Sequence, residues 1–254
     1  MCGTLAVIVG RHTKQQIFTL NDRHKKMTNT NRIIYGILIT GIIFATATII
    51  SLNTHLGINF IPKFFVTLTI ELLLSIIAII TMRKHLPYNI SLPKIKLILK
   101  PIIIALSTTI IINAFMTIIT KMAGEKIEVP PALSELKPIQ VFLFVFFYAS
   151  IAEEFLFRGF LMNLLKPLET TSFTILKRKL SLPVILSAIA FSAVHLILIT
   201  TGVSTLFLLR IVIFTFCLGL VAGYYQEKHN NHFYAIIVHM TGNSLAVIAS
   251  LSLN

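Results

Sequence analysis

Seven apolar stretches of about 20 residues follow one another along this chain, separated by short polar segments. A helix rises ~1.5 Å per residue, so about 20 apolar residues cross the ~30 Å hydrocarbon core of a bilayer. The pattern therefore predicts an all-α fold, a polytopic transmembrane helix bundle of about seven spans. We place the spans at residues 33–52, 64–82, 101–120, 140–165, 183–200, 205–225 and 233–253. Pro101 and Pro183 should open two of them, where a proline costs a helix no hydrogen bond.

The composition agrees with a membrane protein. Of the 254 residues, 56% are hydrophobic and 12% are charged, and a soluble domain of this length needs more polar surface. Residues 1–30 contain no apolar segment long enough for a signal peptide, so we expect a basic, disordered cytoplasmic tail with Met27 as an alternative first residue. Residues 31–254 would form one transmembrane domain. Cys2 and Cys217 lie far apart and predict neither a disulfide nor a thiolate metal site.

The net charge of +13 would suggest nucleic acid as a partner in a soluble protein. Here the basic residues lie between apolar stretches, so they indicate topology and contacts with anionic lipid, and we expect no nucleic acid partner. Sixteen Lys and Arg residues fall on one side, in the tail and in the loops at 83–100, 166–182 and 226–232, against four on the other side. This asymmetry predicts a cytoplasmic N-terminus and an external C-terminus.

Charged side chains inside a span are costly, and the fourth predicted span carries three of them. Residues four apart share a helix face, so Glu154 and Arg158 can form an ion pair. Glu153 is rotated by ~100° from Glu154 and is left without a local cation. A desolvated carboxylate of this kind is suited to general acid or base chemistry. The alternative is an ion pair that only joins helices, and it leaves Glu153 unexplained.

Polar side chains of the fifth and seventh spans are expected to meet these carboxylates. His195 lies in the fifth span, and His239 and Asn243 lie four apart in the seventh, where two donors could hold one oxyanion. Counted from the cytoplasmic ends of their helices, all three side chains and the two glutamates lie at depths of ~9 to 18 Å. A shared site explains this agreement in depth, whereas polar bonding between helices is the alternative.

Two further groups of residues have a structural interpretation. We expect Glu71 in the second span to make a structural hydrogen bond or to lie at the membrane interface. Six histidines fall in the tail or loops, where water should satisfy them: His12, His24, His55, His85, His229 and His232.

With its three motifs, the sequence resembles the CPBP family of intramembrane proteases, which includes the CAAX prenyl endopeptidase and bacterial Abi proteins. The family pattern is Glu-Glu-x-x-x-Arg, Phe-x-x-x-His and His-x-x-x-Asn on separate helices. This chain has Glu153-Glu154…Arg158, Phe191…His195 and His239…Asn243 in that order. The resemblance covers roughly residues 140–245, which would form the protease core, and the first three spans carry no such motif.

The resemblance implies a role for each motif residue. Glu153 would activate a water molecule with the help of His195, and His239 and Asn243 would stabilise the tetrahedral oxyanion. Glu154 and Arg158 would hold the helix of the base or contact the substrate. A divalent metal such as zinc, held by Glu153, His195 and His239, is an alternative that the residue types permit. No His-Glu-x-x-His motif occurs, however, and a metal-free mechanism fits the same residues.

The substrate class implied is a membrane-associated peptide or protein, cut near the cytoplasmic half of the bilayer. Abundant Ile, Lys and Asn suggest an AT-rich bacterial genome and hence the bacterial plasma membrane. Bacterial relatives are linked to maturation of bacteriocins or peptide pheromones, or to self-immunity. Two other functions remain open: a catalytically idle, peptide-binding immunity scaffold, and a small transporter or proton relay, which would need polar residues through both leaflets.

Overall fold

The computed structural model describes residues 27–54, 56–129, 131–175 and 177–252. Seven helices within these ranges are long and apolar enough to span a membrane. They are α1 (Asn29–Leu52), α2 (Phe64–Thr81), α3 (Ile95–Met122), α4 (Pro138–Met162), α5 (Leu182–Thr201), α6 (Thr205–His229) and α7 (Phe233–Ser252). The predicted transmembrane bundle is confirmed. Most of the predicted tail, residues 1–26, lies outside the described residues.

Several helices begin and end with the residues that cap helices best. The side chains of Thr28, Ser181 and Ser204 accept hydrogen bonds from backbone N–H groups in the first turns of α1, α5 and α6. Asn230 ends α6 in the left-handed conformation, with φ of 46°, and its N–H bonds back to the last turn. These caps satisfy backbone groups that have no partner within the helix.

The prediction that Pro101 opens the third span is wrong. The helix α3 begins six residues earlier, at Ile95, and Pro101 lies buried inside it. Pro183 does open its helix, as the second residue of α5. A proline inside a helix removes one backbone hydrogen bond, and the hydrophobic pattern alone did not reveal that the polar residues Lys96 and Lys100 continue the helix.

The fourth helix is not uniform along its length. It consists of a short α-helical start, a π-helical segment at Val141–Ala149, a second α-helical segment at Ser150–Glu154 and a second π-helical segment at Phe155–Met162. A π-helix bonds each carbonyl to the N–H five residues later, which widens the helix and changes the direction of its side chains. The predicted acid pair therefore lies on an α-helical segment between two wider ones.

The same helix lies at the centre of the bundle. Leu156, Phe157, Phe160 and Leu161 are almost completely buried, and they pack with residues of α1, α2 and α5. A glycine of α6 permits close approach, because a Cβ atom on Gly219 would lie 2.6 Å from Arg158 Nη2. The central position of α4 allows it to present polar groups to several helices at once.

The segment between α4 and α5 contains a β-hairpin that the sequence analysis did not predict. Strand β1 (Ser172–Ile175) pairs antiparallel with β2 (Arg178–Ser181), with Ser172 opposite Ser181. Lys177 adopts a φ of 63° between the strands. This hairpin is the one exception to the all-α fold within the described ranges.

One end of the bundle gathers the Lys- and Arg-rich segments. We call it the basic end; it contains the start of α1, the loop after α2, the connection after α4 and the loop after α6. Arg32 of α1 donates from Nη1 to the carbonyl oxygens of His85 (2.6 Å) and Leu164 (2.9 Å). The Asn89 amide donates to the Asn230 carbonyl at 2.7 Å. These bonds join the four segments that the charge asymmetry assigns to one side.

Candidate active site

The ion pair that the four-residue spacing predicts is present in α4. Arg158 Nη1 lies 2.9 Å from Glu154 Oε1, and both side chains are completely buried. The guanidinium also lies over the ring of Phe191 in α5, 4.6 Å from its centroid, which adds a cation–π contact. Arg158 thus joins the carboxylate of its own helix to the aromatic residue that begins the second motif.

His239 of α7 lies between the two glutamates of α4. Its Nδ1 is 2.9 Å from Glu154 Oε1, and its Nε2 is 3.7 Å from Glu153 Oε2. A carboxylate accepts hydrogen bonds, so Nδ1 carries the proton and the opposite nitrogen is directed at Glu153. Glu154 is held by two donors on one oxygen, whereas the other oxygen, Oε2, has no hydrogen-bond partner among the described residues.

The two carboxylates differ in their access to the surroundings. The Glu153 side chain is 22% exposed, whereas that of Glu154 is 1% exposed. Glu154 is therefore enclosed with Arg158 and His239, and Glu153 is the more accessible of the two carboxylates. This division agrees with the expectation from helix rotation that Glu153 is the free member of the pair.

His195 lies where α5 changes from an α-helix to a tighter 3-10 helix. Its Nδ1 is 2.9 Å from the carbonyl oxygen of Phe191, which can only accept. The ring therefore carries its proton on Nδ1 and keeps a lone pair on Nε2. The edge of the Phe191 ring contacts both histidine rings, at 5.2 Å for His195 and 5.3 Å for His239. No hydrogen bond joins His195 to Glu153 within the described ranges.

Asn243 lies one turn beyond His239 on α7 and is bonded to α4. Its Nδ2 donates to the carbonyl oxygen of Val145 at 3.2 Å and to Ser150 Oγ at 3.0 Å. Both N–H groups of the amide are therefore occupied. The predicted role in binding an oxyanion requires one of these bonds to be exchanged for the bond to the substrate.

Two expectations about buried residues are wrong. His232, which we placed in a water-filled loop, is 1% exposed, and burial lowers its pKa to about 4. Its Nε2 is 3.1 Å from the carbonyl oxygen of Glu154. Glu71 is 2% exposed, and its Oε1 makes no hydrogen bond within the described residues. The polar sequence Asn230-Asn231-His232 is typical of a loop and contains no signal of burial.

A metal ion at this site would need Glu153, His195 and His239 to converge on one point. Within the described residues, no group of three or more His, Cys, Asp or Glu side chains is placed to hold one metal ion. Glu153, His195 and His239 therefore do not form a ligand set in this arrangement. The bonds from Nδ1 of His239 to Glu154 and from Nδ1 of His195 to a carbonyl do not decide this, because a histidine that binds a metal commonly donates its other ring N–H in the same way.

Comparison with protein families gives a match over the second half of the chain. The family described as Type II CAAX prenyl endopeptidase Rce1-like matches residues 135–245. The matched segment begins before α4, ends within α7 and contains all six predicted site residues. Neither the curated proteins nor the solved structures give a match.

Proposed function

Because the chain belongs, through residues 135–245, to the Rce1-like family of type II CAAX prenyl endopeptidases, we propose that it hydrolyses a peptide bond of a membrane-associated peptide or protein. The observation that carries this proposal is the partly exposed carboxylate of Glu153, which faces His239 Nε2 at 3.7 Å. Glu154 Oε1 holds His239 through its Nδ1 atom, and Arg158 holds the same carboxylate oxygen. A carboxylate with restricted access and a fixed imidazole beside it is suited to activate water.

The proposed reaction begins with Glu153 as general base. It takes a proton from water, and the resulting hydroxide oxygen forms a bond to the carbonyl carbon of the substrate while the carbonyl electrons move to oxygen. His195 Nε2, which keeps its lone pair, orients the same water. Glu153 then returns the proton to the leaving nitrogen as the carbon–nitrogen bond breaks. One carboxylic acid and one amine are formed, and Glu153 is restored.

The oxyanion formed in this step needs donors near the carbonyl carbon. Asn243 supplies one when its bond to Ser150 is exchanged for a bond to the substrate. His239 supplies another when Nε2 is protonated, since Nδ1 stays bonded to Glu154. A preorganised oxyanion donor is worth about 100- to 1000-fold in kcat, which is the upper bound for each of these two donors. Glu154 and Arg158 act here as the support that fixes the His239 ring.

We propose the metal-free form of this chemistry, with glutamate as the base. The three candidate ligands Glu153, His195 and His239 form no three-ligand set among the described residues. Cleavage should therefore persist after treatment with 1,10-phenanthroline and after dialysis against EDTA. Loss of cleavage that zinc restores would establish the metal-dependent form instead.

The location and the substrate are proposed from the sequence. The Lys- and Arg-rich segments meet at the basic end, which supports an orientation with this end in the cytoplasm of a bacterial cell. The peptide would be cut within the bilayer near that end. Maturation of a bacteriocin or peptide pheromone, or self-immunity against one, are the roles we propose for a bacterial protein of this kind.

The test is cleavage of the peptide precursor encoded next to this gene, with the purified protein in liposomes. Wild type is compared with Glu153→Gln and His195→Ala, and with Glu125→Gln as a matched control in an exposed loop. We expect Glu153→Gln to lower kcat by about 100-fold or more, and Glu125→Gln to leave it unchanged. Unchanged cleavage by Glu153→Gln would remove this residue from the chemistry.

The same experiment separates the alternatives. Peptide binding without cleavage by any form would favour the immunity scaffold, which shares the site but not the reaction. Proton flux across the liposomes that depends on Glu153 would favour the proton relay. In that case, polar residues should continue through both leaflets, whereas the buried polar contacts described above are concentrated around α4.

A further inference from the structure

A buried histidine outside the family motifs contacts the backbone of the candidate acid pair. The His232 Nε2 lies 3.1 Å from the carbonyl oxygen of Glu154, and its Nδ1 lies 2.8 Å from the Tyr88 hydroxyl. The carbonyl can only accept, so Nε2 carries the proton. Nδ1 is then the acceptor and Tyr88 the donor. Both ring nitrogens are satisfied by one neutral tautomer, which the Glu154 carbonyl selects and the Tyr88 hydroxyl completes.

Packing holds the histidine ring in this position. The rings of Tyr88 and Phe155 contact it edge-on, with centroids at 5.4 and 5.1 Å. Gly159 provides the space, because a Cβ atom there would lie 3.2 Å from His232 Cε1. Burial lowers the pKa of His232 and raises that of Tyr88, so both groups are neutral near pH 7. The contact with Glu154 is therefore a neutral hydrogen bond of fixed direction.

The carbonyl that His232 bonds is at a special position in α4. Glu154 is the last residue of the α-helical segment, and the π-helical segment begins at Phe155. At such a change of helix type, the hydrogen-bond register of the backbone shifts from four to five residues. A donor from another element can fix the peptide group there. This peptide group is one bond from the Cα atom that carries the Glu154 side chain.

We propose that His232, fixed by Tyr88, is a positioning residue for the acid pair. It holds the peptide after Glu154, so that the Glu154 carboxylate meets His239 and the neighbouring Glu153 faces the substrate. This inference rests on the proposed function, because it assigns a role in the same reaction. It adds a residue from a loop, outside the three motifs, to the groups that determine the geometry of the site.

The two residues come from loops that are bonded to each other at the basic end. The backbone N–H of His232 donates to the Asn89 carbonyl at 2.9 Å. Asn231 bonds Ser91 in both directions, by donating to its carbonyl at 2.9 Å and accepting from its N–H at 3.2 Å. The loop after α2 and the loop after α6 thus form one unit. This unit transmits its position to α4 through His232.

The test uses three variants in the full chain, in liposomes. Tyr88→Phe removes one hydroxyl and keeps the ring, His232→Leu removes both hydrogen bonds, and His232→Gln retains a donor and an acceptor. His229→Leu is the matched control, because His229 is the last residue of α6 and its ring contacts Tyr234 instead. Peptide cleavage gives kcat and KM, and hydrogen exchange of the amides at 155–163 reports the backbone without any need for activity.

We expect kcat to fall by about 10- to 100-fold in His232→Leu and less in Tyr88→Phe, with KM within roughly twofold, because small misplacement of reacting groups reduces rate. His232→Gln should recover part of the loss. Amide exchange at 155–163 should be roughly threefold or more faster in His232→Leu and Tyr88→Phe, but unchanged in His229→Leu.

The outcomes distinguish this inference from the proposed function. Normal cleavage and normal amide exchange in His232→Leu would overturn the inference and leave the protease function intact. If wild type cleaves no peptide, the exchange measurement still decides: unchanged exchange overturns the positioning role of His232. A loss of kcat without any rescue by Gln and without faster exchange would also overturn it.

Discussion

The helices α1–α3 and the helices α4–α7 satisfy their polar side chains in different ways. In the first group, Thr48, Thr109 and Thr120 each donate to the carbonyl four residues earlier in their own helix. In the second group, many polar side chains bond a different helix or loop. The pairs are Glu154 with His239, Gln226 with the Arg158 carbonyl, Ser192 with the Val212 carbonyl, and Asn243 with the Val145 carbonyl.

The two kinds of hydrogen bond differ in whether they constrain the positions of helices relative to one another. A hydroxyl in lipid must find a partner without water, and the nearest is the carbonyl of its own helix, which demands nothing of the neighbouring helix. A bond between helices forms only if both helices have the right rotation and depth. The polar contacts of α4–α7 thus constrain the geometry that chemistry needs. Two residues of the first group are exceptions: Thr69 bonds Tyr148 of α4, and Arg32 donates to the Leu164 carbonyl.

We expect the largest effect when one partner of a buried ion pair is removed, and we compare it with the removal of a buried carboxyl group in α2. Arg158→Met leaves Glu154 without its cation in the core, and breaking a buried pair from one side costs about 3–5 kcal/mol of unfolding free energy. Glu71→Leu, in α2, removes a buried carboxyl whose Oε1 has no hydrogen bond among the described residues, so it should be neutral or stabilising. Reversible unfolding by SDS in mixed micelles measures both.

A double variant serves as the control for this comparison. In Arg158→Met with Glu154→Gln, both charges of the pair are absent, so much of the lost stability should return. Equal destabilisation by Arg158→Met and Glu71→Leu would contradict the distinction between the two groups of helices. It would mean that burial alone, rather than the pairing of the two charges, determines the cost.

The sequence predicted the spans well because hydropathy and helix length are local properties. It also predicted the Glu154–Arg158 pair, since residues four apart share a face on one helix. It could not place His239 against Glu154, because the rotation of α7 relative to α4 depends on packing between helices. It missed the burial of His232 for a similar reason: its neighbours in sequence are polar, and Tyr88, which covers it, is 144 residues away.

An effect of intermediate size is expected at the basic end, where the free energy of unfolding should depend on pH through His232. Burial lowers the pKa of His232 to about 4, against 6.5 in the unfolded chain. Between these values the unfolded chain binds more protons than the folded protein. The contribution to stability is therefore complete above pH 6.5, and about 3 kcal/mol of it is lost as the pH falls to about 4.

The measurement is the unfolding free energy of wild type and His232→Gln at a series of pH values between about 4 and 7. Carboxylates also titrate in this interval, so the difference between the two proteins isolates the histidine. This difference should decrease toward acid pH, because Gln cannot take up a proton. A constant difference across the interval would show that His232 is not held neutral by burial.

Two glycines test how tightly each group of helices is packed. A Cβ atom on Gly219 of α6 would lie 2.6 Å from Arg158 Nη2 and 3.2 Å from the Ala188 Cα, so Gly219→Ala should cost about 1–3 kcal/mol and reduce activity. In α1, Gly41 has no atom within 4 Å of such a position, so Gly41→Ala should be neutral or stabilise by up to about 1 kcal/mol. Thermal unfolding and peptide cleavage measure both, and a large cost at Gly41 would contradict the open surroundings of that position.

The smallest expected effects come from two single hydroxyl groups, one bonded within its own helix and one bonded to a different helix. Thr109 bonds the Ala105 carbonyl of its own helix at 2.8 Å, and Ser192 bonds the Val212 carbonyl of α6 at 2.8 Å. Thr109→Val should change the unfolding free energy by less than about 0.5 kcal/mol, because that carbonyl keeps its backbone partner. Ser192→Ala should cost more, roughly 0.6 kcal/mol and at most about 1.7, the range found for hydrogen bonds between membrane helices. Each change removes one hydroxyl group whose hydrogen bond is 2.8 Å long. The difference between the two costs therefore measures what a bond between helices adds. Equal costs would show that hydroxyls of α4–α7 contribute no more to helix positions than those of α1–α3, and the geometry of the site would then depend on the charged groups and on His232 alone.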